Sequence, residues 1–474
     1  MKAAKLLFAA LALALGLLFA GAEADSYKTE AVYLPLSRAL KVDTEFTYTN
    51  AAGEKLDSVT FALPANCFRR VSALPYGGGD SLEKAFPWGY APAGVQLERV
   101  EFDSSPARYS FLQGGDVYFS VKAALEPGQT GTFRFVYTLL LSENRAFLGC
   151  GDDVRLRLFL PAACPFDEGE AAMYPLSHCF CDVFSLPADH SLTLRVPVSW
   201  ALACGGSATR AVIGDTAEYT VTLNNASNLS LVLSRRFYEY ADASAMGTKI
   251  SVYGNSRAKC RKALNLAKDA LNVYETWLGK APWDIAVAFS SDTASSASPG
   301  LIQLGGDAED LESTVYRLAA QQYFGLGAYT DPYTDPFLRE GTSFYAYLLA
   351  EEQLRGENRF VSLLNGRVLP ALKYTIPGSL TPDSFLTRFQ SEEEFEAVAR
   401  LRGAAVMHEM RVLLGRDAFI RALKAFYTSG KGRLNTIEDF VTALDGEFPG
   451  GAGSALVSYL YTIDEYALFD GDYR

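Results

Sequence analysis

The segment TVYRLAAQQYFGLGAYTDPYTDPFLREGTSFYAYL, Thr314 to Leu348, decides how the rest of the chain is understood. Val315, Leu318, Ala319, Gln322 and Tyr323 recur at the spacing of one helix face, which predicts a helix stopped by Gly325 and Gly327. Asp331-Pro332 and Asp335-Pro336 punctuate a turn-rich connection. A second helix opens after Pro336 and runs through Phe344, Tyr345 and Leu348.

Two short runs in this segment lie at a telling distance. Gln322-Tyr323-Phe324-Gly325 is followed by Arg339-Glu340-Gly341, with eighteen residues between Gln321 and Glu340. This frame resembles the zinc helices of the alanyl aminopeptidase (aminopeptidase N)/leukotriene hydrolase family of gluzincin zinc metallopeptidases. There H-E-x-x-H precedes Q-W-F-G, and N-E-G follows on the second helix. The resemblance implies metal-ligand positions at Arg317, Gln321 and Glu340, and the general-base position at Leu318.

The chemistry departs from the frame. Histidines at i and i+4 share a helix face and converge on one tetrahedral ion, and the glutamate between them takes a proton from the bound water. Arg317 is always protonated and has no lone pair to give a metal. The Gln321 carboxamide is a poor zinc donor, Leu318 is no base, and Glu340 alone is a zinc-type ligand. The resemblance therefore implies a degenerate active site, with zinc as the family's cofactor but its ligands missing. We expect the Arg317 guanidinium to stand where the ion would be and to pair with Glu340. The plainer alternative makes Arg317 a surface residue.

The same likeness extends along the chain and loses its chemistry at two further points. Ala294 to Ile302, ASSASPGLI, matches the family's edge strand G-A-M-E-N or G-G-M-E-Y and its x-G-L-I tail. The resemblance places the substrate groove along Ala297, Pro299 and Gly300. Ala297 occupies the position of the glutamate that binds the substrate's α-amino group, and an alanine offers no anionic acceptor. Arg400-Leu401-Arg402-Gly403 matches Y-E-K-G, so Arg400 replaces the tyrosine that hydrogen-bonds the tetrahedral intermediate. Leu414 to Phe419 and Thr436 to Phe440 match the family again, and Met173-Tyr174-Pro175 resembles its W-Y-P.

A chain of 474 residues exceeds one core and predicts two or three domains. Period-two alternation in Thr132 to Tyr137 and Ser191 to Val196 belongs to a train of strands from Tyr27 to about Tyr240. Helical spacing follows in Arg257 to Leu278 and again from Ala397 onward, and Thr436 with Asp439 gives a capping box. The fold class expected is multidomain: an N-terminal all-β sandwich or curved-sheet domain at 25–245, then a thermolysin-like α+β, mostly α peptidase domain at 246–474. Residues 1–24 read as a signal peptide. Lys2 and Lys5 precede the apolar run Leu6 to Phe19, and Ala20-Gly21-Ala22 or Ala22-Glu23-Ala24 fits cleavage. The alternative is an uncleaved anchor; we expect cleavage, a secreted or cell-envelope location, and no transmembrane segment in the mature chain.

The acidic balance, 43 Lys+Arg against 55 Asp+Glu, and the lack of a basic cluster exclude a nucleic-acid partner. Seven cysteines, six of them before residue 205, fit disulfides or buried thiols; Cys164, His178, Cys179 and Cys181 match no usual zinc spacing. His178, His190 and His408 are scattered and cannot rebuild the centre. Ser295, Ser296 and Ser298 lack a nucleophile elbow. The functional expectation is an exported pseudoenzyme that holds a peptide or protein segment in its inter-domain groove. Alternatives are an active zinc-dependent metallo-aminopeptidase cleaving N-terminal residues from peptides, or a structural surface component.

Overall fold

In the computed structural model, which describes residues 24–75, 80–112, 115–167, 169–177, 182–305, 310–372, 380–448 and 451–461, the chain is strand-rich first and helical afterwards. The alternating runs build the first part. Its largest sheet has eight strands in the order Ser207–Ile213, Thr216–Ala226, Ala188–Pro197, Ser26–Leu34, Ala39–Thr49, Thr130–Leu140, Gly94–Phe102, Ser105–Pro106. Ser26–Leu34 pairs in parallel with Ala188–Pro197, so the start of the described chain lies inside the sheet. Along Thr130–Leu140 every second residue is buried, and Phe133, Phe135 and Tyr137 share that face. Phe61, from the smaller sheet containing Leu56–Ala62, meets Phe133 and Phe135 edge-on with ring centroids 5.0 Å apart.

The second part opens with a five-stranded sheet, Tyr238–Ala243, Lys249–Gly254, Ile285–Phe289, Leu301–Leu304 and Ser296–Ser298 in spatial order. The boundary expected at 245 falls within the turn joining its first two strands, which pair antiparallel. Helix α1, Arg257–Leu278, buries the expected face and is N-capped by Ser256. Helices α2, Leu311–Gln321, and α3, Pro336–Arg355, follow. After a π-helical turn at Glu396–Arg402 comes α4, Gly403–Leu414. The capping box at Thr436 and Asp439 is formed. Among the described residues no helix is long and apolar enough to cross a membrane.

Helix α3 runs through the middle of this part. Pro336 to Glu351 is buried on every side, so polar residues there must find partners inside the protein. Where the two parts meet, Gly300 adopts φ +67°, and a Cβ on it would stand 2.6 Å from the Cα of Gly205. Only glycines allow that turn and that approach.

Cys150, Cys164, Cys204 and Cys260 are buried free thiols, the second of the two expectations for the cysteines, and Cys67 is buried as well. Residues 1–23, and with them nearly all of the signal reading, lie outside the described residues. The same is true of His178, Cys179 and Cys181.

Candidate functional site

Helices α2 and α3 bring the three ligand positions together. The Glu340 side chain is 3 % exposed, and Gln321 Nε2 donates to its Oε1 at 2.8 Å. Arg400 Nε donates to Oε2 at 2.8 Å, and the expected Arg317 pair is present, with a guanidinium nitrogen 3.5 Å from the same Oε2. Arg317 is thus no surface residue, its side chain being only 13 % exposed.

Arg400 reaches Glu340 because two helices touch at glycines. A Cβ on Gly341 would lie 2.9 Å from the Cα of Gly403, and no larger residue at either position allows this crossing. Gly341 follows Glu340 in sequence, and Gly403 comes three residues after Arg400. Close approach of the backbones therefore sets carboxylate against guanidinium.

A second layer orients the first. Arg339 donates to Gln321 Oε1 at 3.4 Å, to the Ala297 carbonyl oxygen at 3.0 Å and to Asp182 Oδ2 at 3.2 Å. Gln321 accepts from a cation on one side and donates to an anion on the other, a task suited to a carboxamide. Arg157 also faces Asp182, at 3.8 Å. Arg400 adds Glu396, one helical turn back, at 3.0 Å. Burial alone would raise the Glu340 carboxyl. Arg400, Arg317 and Arg339 outweigh it and hold the group at about 2. Burial, then Arg400, lowers Arg317 to about 9 despite Glu340, so the cluster is under-neutralised at that guanidinium.

These side chains line a cavity of about 250 Å³ with Leu318, Ala297, Ser295, Ser296, Phe147 and Phe395 around it. Leu318 contributes a buried aliphatic wall and no base. Pro299 and Gly300, expected in the groove, are not part of the lining; they form the tight turn against Gly205. Arg157, Asp182, Arg339 and Glu396 were missed from sequence. The Glu396/Arg400 spacing of four was the one legible signal among them.

Zinc does not fit this donor set. Glu340 offers the only carboxylate among the three positions, and both its oxygens already accept from cationic or amide donors. Among the described residues, no group of three or more His, Cys, Asp or Glu could hold a metal. Glu340 stays ionised and hydrogen-bonded far below neutral pH, and Leu318, at the general-base position, accepts no proton.

A larger cleft, about 820 Å³, opens between the two parts. Tyr27, Phe46, Tyr48 and Phe166 line one side, and Asp331, Asp335, Leu434 and Thr436 the other. Burial raises Asp331 to about 7, and Asp383, close to Asp335, to about 8. The folded state thus binds these protons more tightly than the unfolded chain. The resulting stability is fully present near pH 4 and is lost as pH rises through 7 and 8. Burial lowers His190 and His408 to about 4, and their contribution is lost in the opposite direction, as pH falls below about 6.5. The unfolding free energy from urea titrations should therefore decline from pH 6.5 to 8 by about 2 kcal/mol, and D331N/D383N should flatten that decline.

No protein-family model matches the sequence, and no curated protein matches it. Solved structures do. The M1 zinc metallopeptidase from Deinococcus radiodurans superposes with a TM-score of 0.67 at 17 % identity, over 94 % of this chain and 94 % of that one. A single-residue mutant of that enzyme bound to a Tyr-Ser-Ala substrate gives 0.67 at 18 %, over 93 % and 94 %. The likeness is one of fold: a strand-rich N-terminal part and a helical C-terminal part arranged as in M1 peptidases.

Proposed function

We propose that this protein is an exported, non-hydrolytic member of the aminopeptidase-like fold that binds a peptide or protein segment in the groove between its two parts. One observation carries the reading: both oxygens of Glu340 are held by Gln321, Arg400 and Arg317, where a zinc ligand would need one free. Hydrolysis in such a site requires an activated water; among the described residues no metal-ligand group is found, and position 318 holds a leucine in place of a base. Binding requires only shape and polar anchors, and both cavities supply these. The tripeptide held by the Deinococcus structure supports a peptide as the ligand class.

The test is metal content together with turnover. After incubation with excess zinc and desalting, the protein should retain well below one equivalent and should not hydrolyse aminoacyl anilides. Stoichiometric zinc, with anilide hydrolysis abolished by a chelator, would establish the active metallo-aminopeptidase instead.

A further inference from the structure

We infer that the arginine-lined cavity is a receptor for an oxyanion carried by the ligand, a carboxylate above all, with Arg317 as the residue that receives it. The inference rests on the peptide-binding reading and gives it a polarity.

Four guanidiniums border this space from four separate segments: Arg157 just after the strand Val154–Leu156, Arg317 on α2, Arg339 on α3 and Arg400 on the π-helical turn. The inner carboxylates are already shared. Asp182 faces Arg339 and Arg157, while Glu340 faces Arg400 and Arg317. Glu396 is paired with Arg400. Asp292, also in the lining, is shifted by burial toward its neutral form, and Glu392 is exposed at the rim.

Arg317 is the exception in this arrangement. Its charge partner is one oxygen of Glu340 at 3.5 Å, and that oxygen already accepts a 2.8 Å hydrogen bond from Arg400. The Arg317 guanidinium makes no side-chain hydrogen bond to another described residue. A guanidinium carries five N–H donors in a planar fork that matches a carboxylate two-on-two.

A second donor lines the same cavity. Ser296 Oγ lines the cavity and is buried without a hydrogen-bond partner among the described residues. Leu318, Phe147 and Phe395 add apolar groups to an otherwise polar lining. At about 250 Å³ the space suits the end of a ligand, such as a peptide's terminal carboxylate or an acidic side chain. The same chemistry would accept free phosphate.

The experiment uses the full chain in equilibrium dialysis against three probes. These are a pool of N-acetylated tripeptides with free C-terminal carboxylates, the same pool as C-terminal amides, and inorganic phosphate. The free-acid pool should bind at least tenfold more tightly than the amides. Arg317→Gln should remove that preference, and Arg317→Lys, which keeps the charge but not the fork, should restore part of it. Circular dichroism and the urea midpoint establish that each variant is folded. If phosphate binds in an Arg317-dependent way and no peptide does, the oxyanion receptor stands and the peptide reading falls. Equal binding of acids and amides overturns the receptor and leaves the peptide reading standing. A preference for acids that survives Arg317→Gln, or no binding by any probe, also overturns it.

Discussion

The double variant R317H/Q321H should remain free of zinc, and adding Arg400→Tyr to it should bring uptake of about one zinc per chain. Two histidines four residues apart on α2 and a carboxylate on α3 make a complete three-residue ligand set on paper. The frame for it is present, since positions 317, 321 and 340 already converge in the folded protein. What opposes the ion is Arg400, whose Nε holds Glu340 Oε2 at 2.8 Å. A unit positive charge and a dication about 4 Å apart in an effective dielectric of about 20 repel by about 8 kcal/mol, enough to cancel most of a structural site's affinity. Removing Arg400 frees the oxygen and that repulsion together. Metal content after desalting reads the result. Tight zinc binding by the double variant with Arg400 intact would mean that the guanidinium does not block the site.

Glu340→Gln should destabilise the fold by about 3–5 kcal/mol, read as a lower urea midpoint with unchanged slope. The carboxylate is the ion-pair partner of Arg317, ahead of the weaker influence of Glu396, and it is shared with Arg400. Deleting it leaves Glu396 as the carboxylate acting on both Arg317 and Arg400. The glutamine keeps the volume, so the loss is electrostatic and not a cavity effect. The companion variant R317M/E340M/R400M should lie within about 2 kcal/mol of wild type, or above it, because removing a whole buried cluster also removes its desolvation cost. A loss below about 1 kcal/mol in E340Q would show that water reaches the cluster and screens it.

Much of this molecule was legible residue by residue. Period-two alternation located the strand that became Thr130–Leu140, and helical spacing with Gly279 located α1 to its last residue. Both signals work because each burial face repeats locally along the chain. The mismatch with a zinc-ligand set at 317 and 318 was equally local: a guanidinium has no lone pair and a leucine accepts no proton, wherever the fold puts them.

Other features needed the third dimension. Gly300 read as part of a binding strand, yet it packs on Gly205, ninety-five residues earlier in the chain. Arg400 was legible as a lost tyrosine but not as the guanidinium that occupies Glu340, and Asp182 gave no sign that it would face Arg339. The residue types alone therefore determined that positions 317, 318 and 321 carry neither an imidazole ligand nor a carboxylate base. Tertiary packing decided what took their place. A buried charge must be matched by whichever groups the converging helices deliver, and that depends on an α3–α4 approach permitted by Gly341 and Gly403, which no local period encodes.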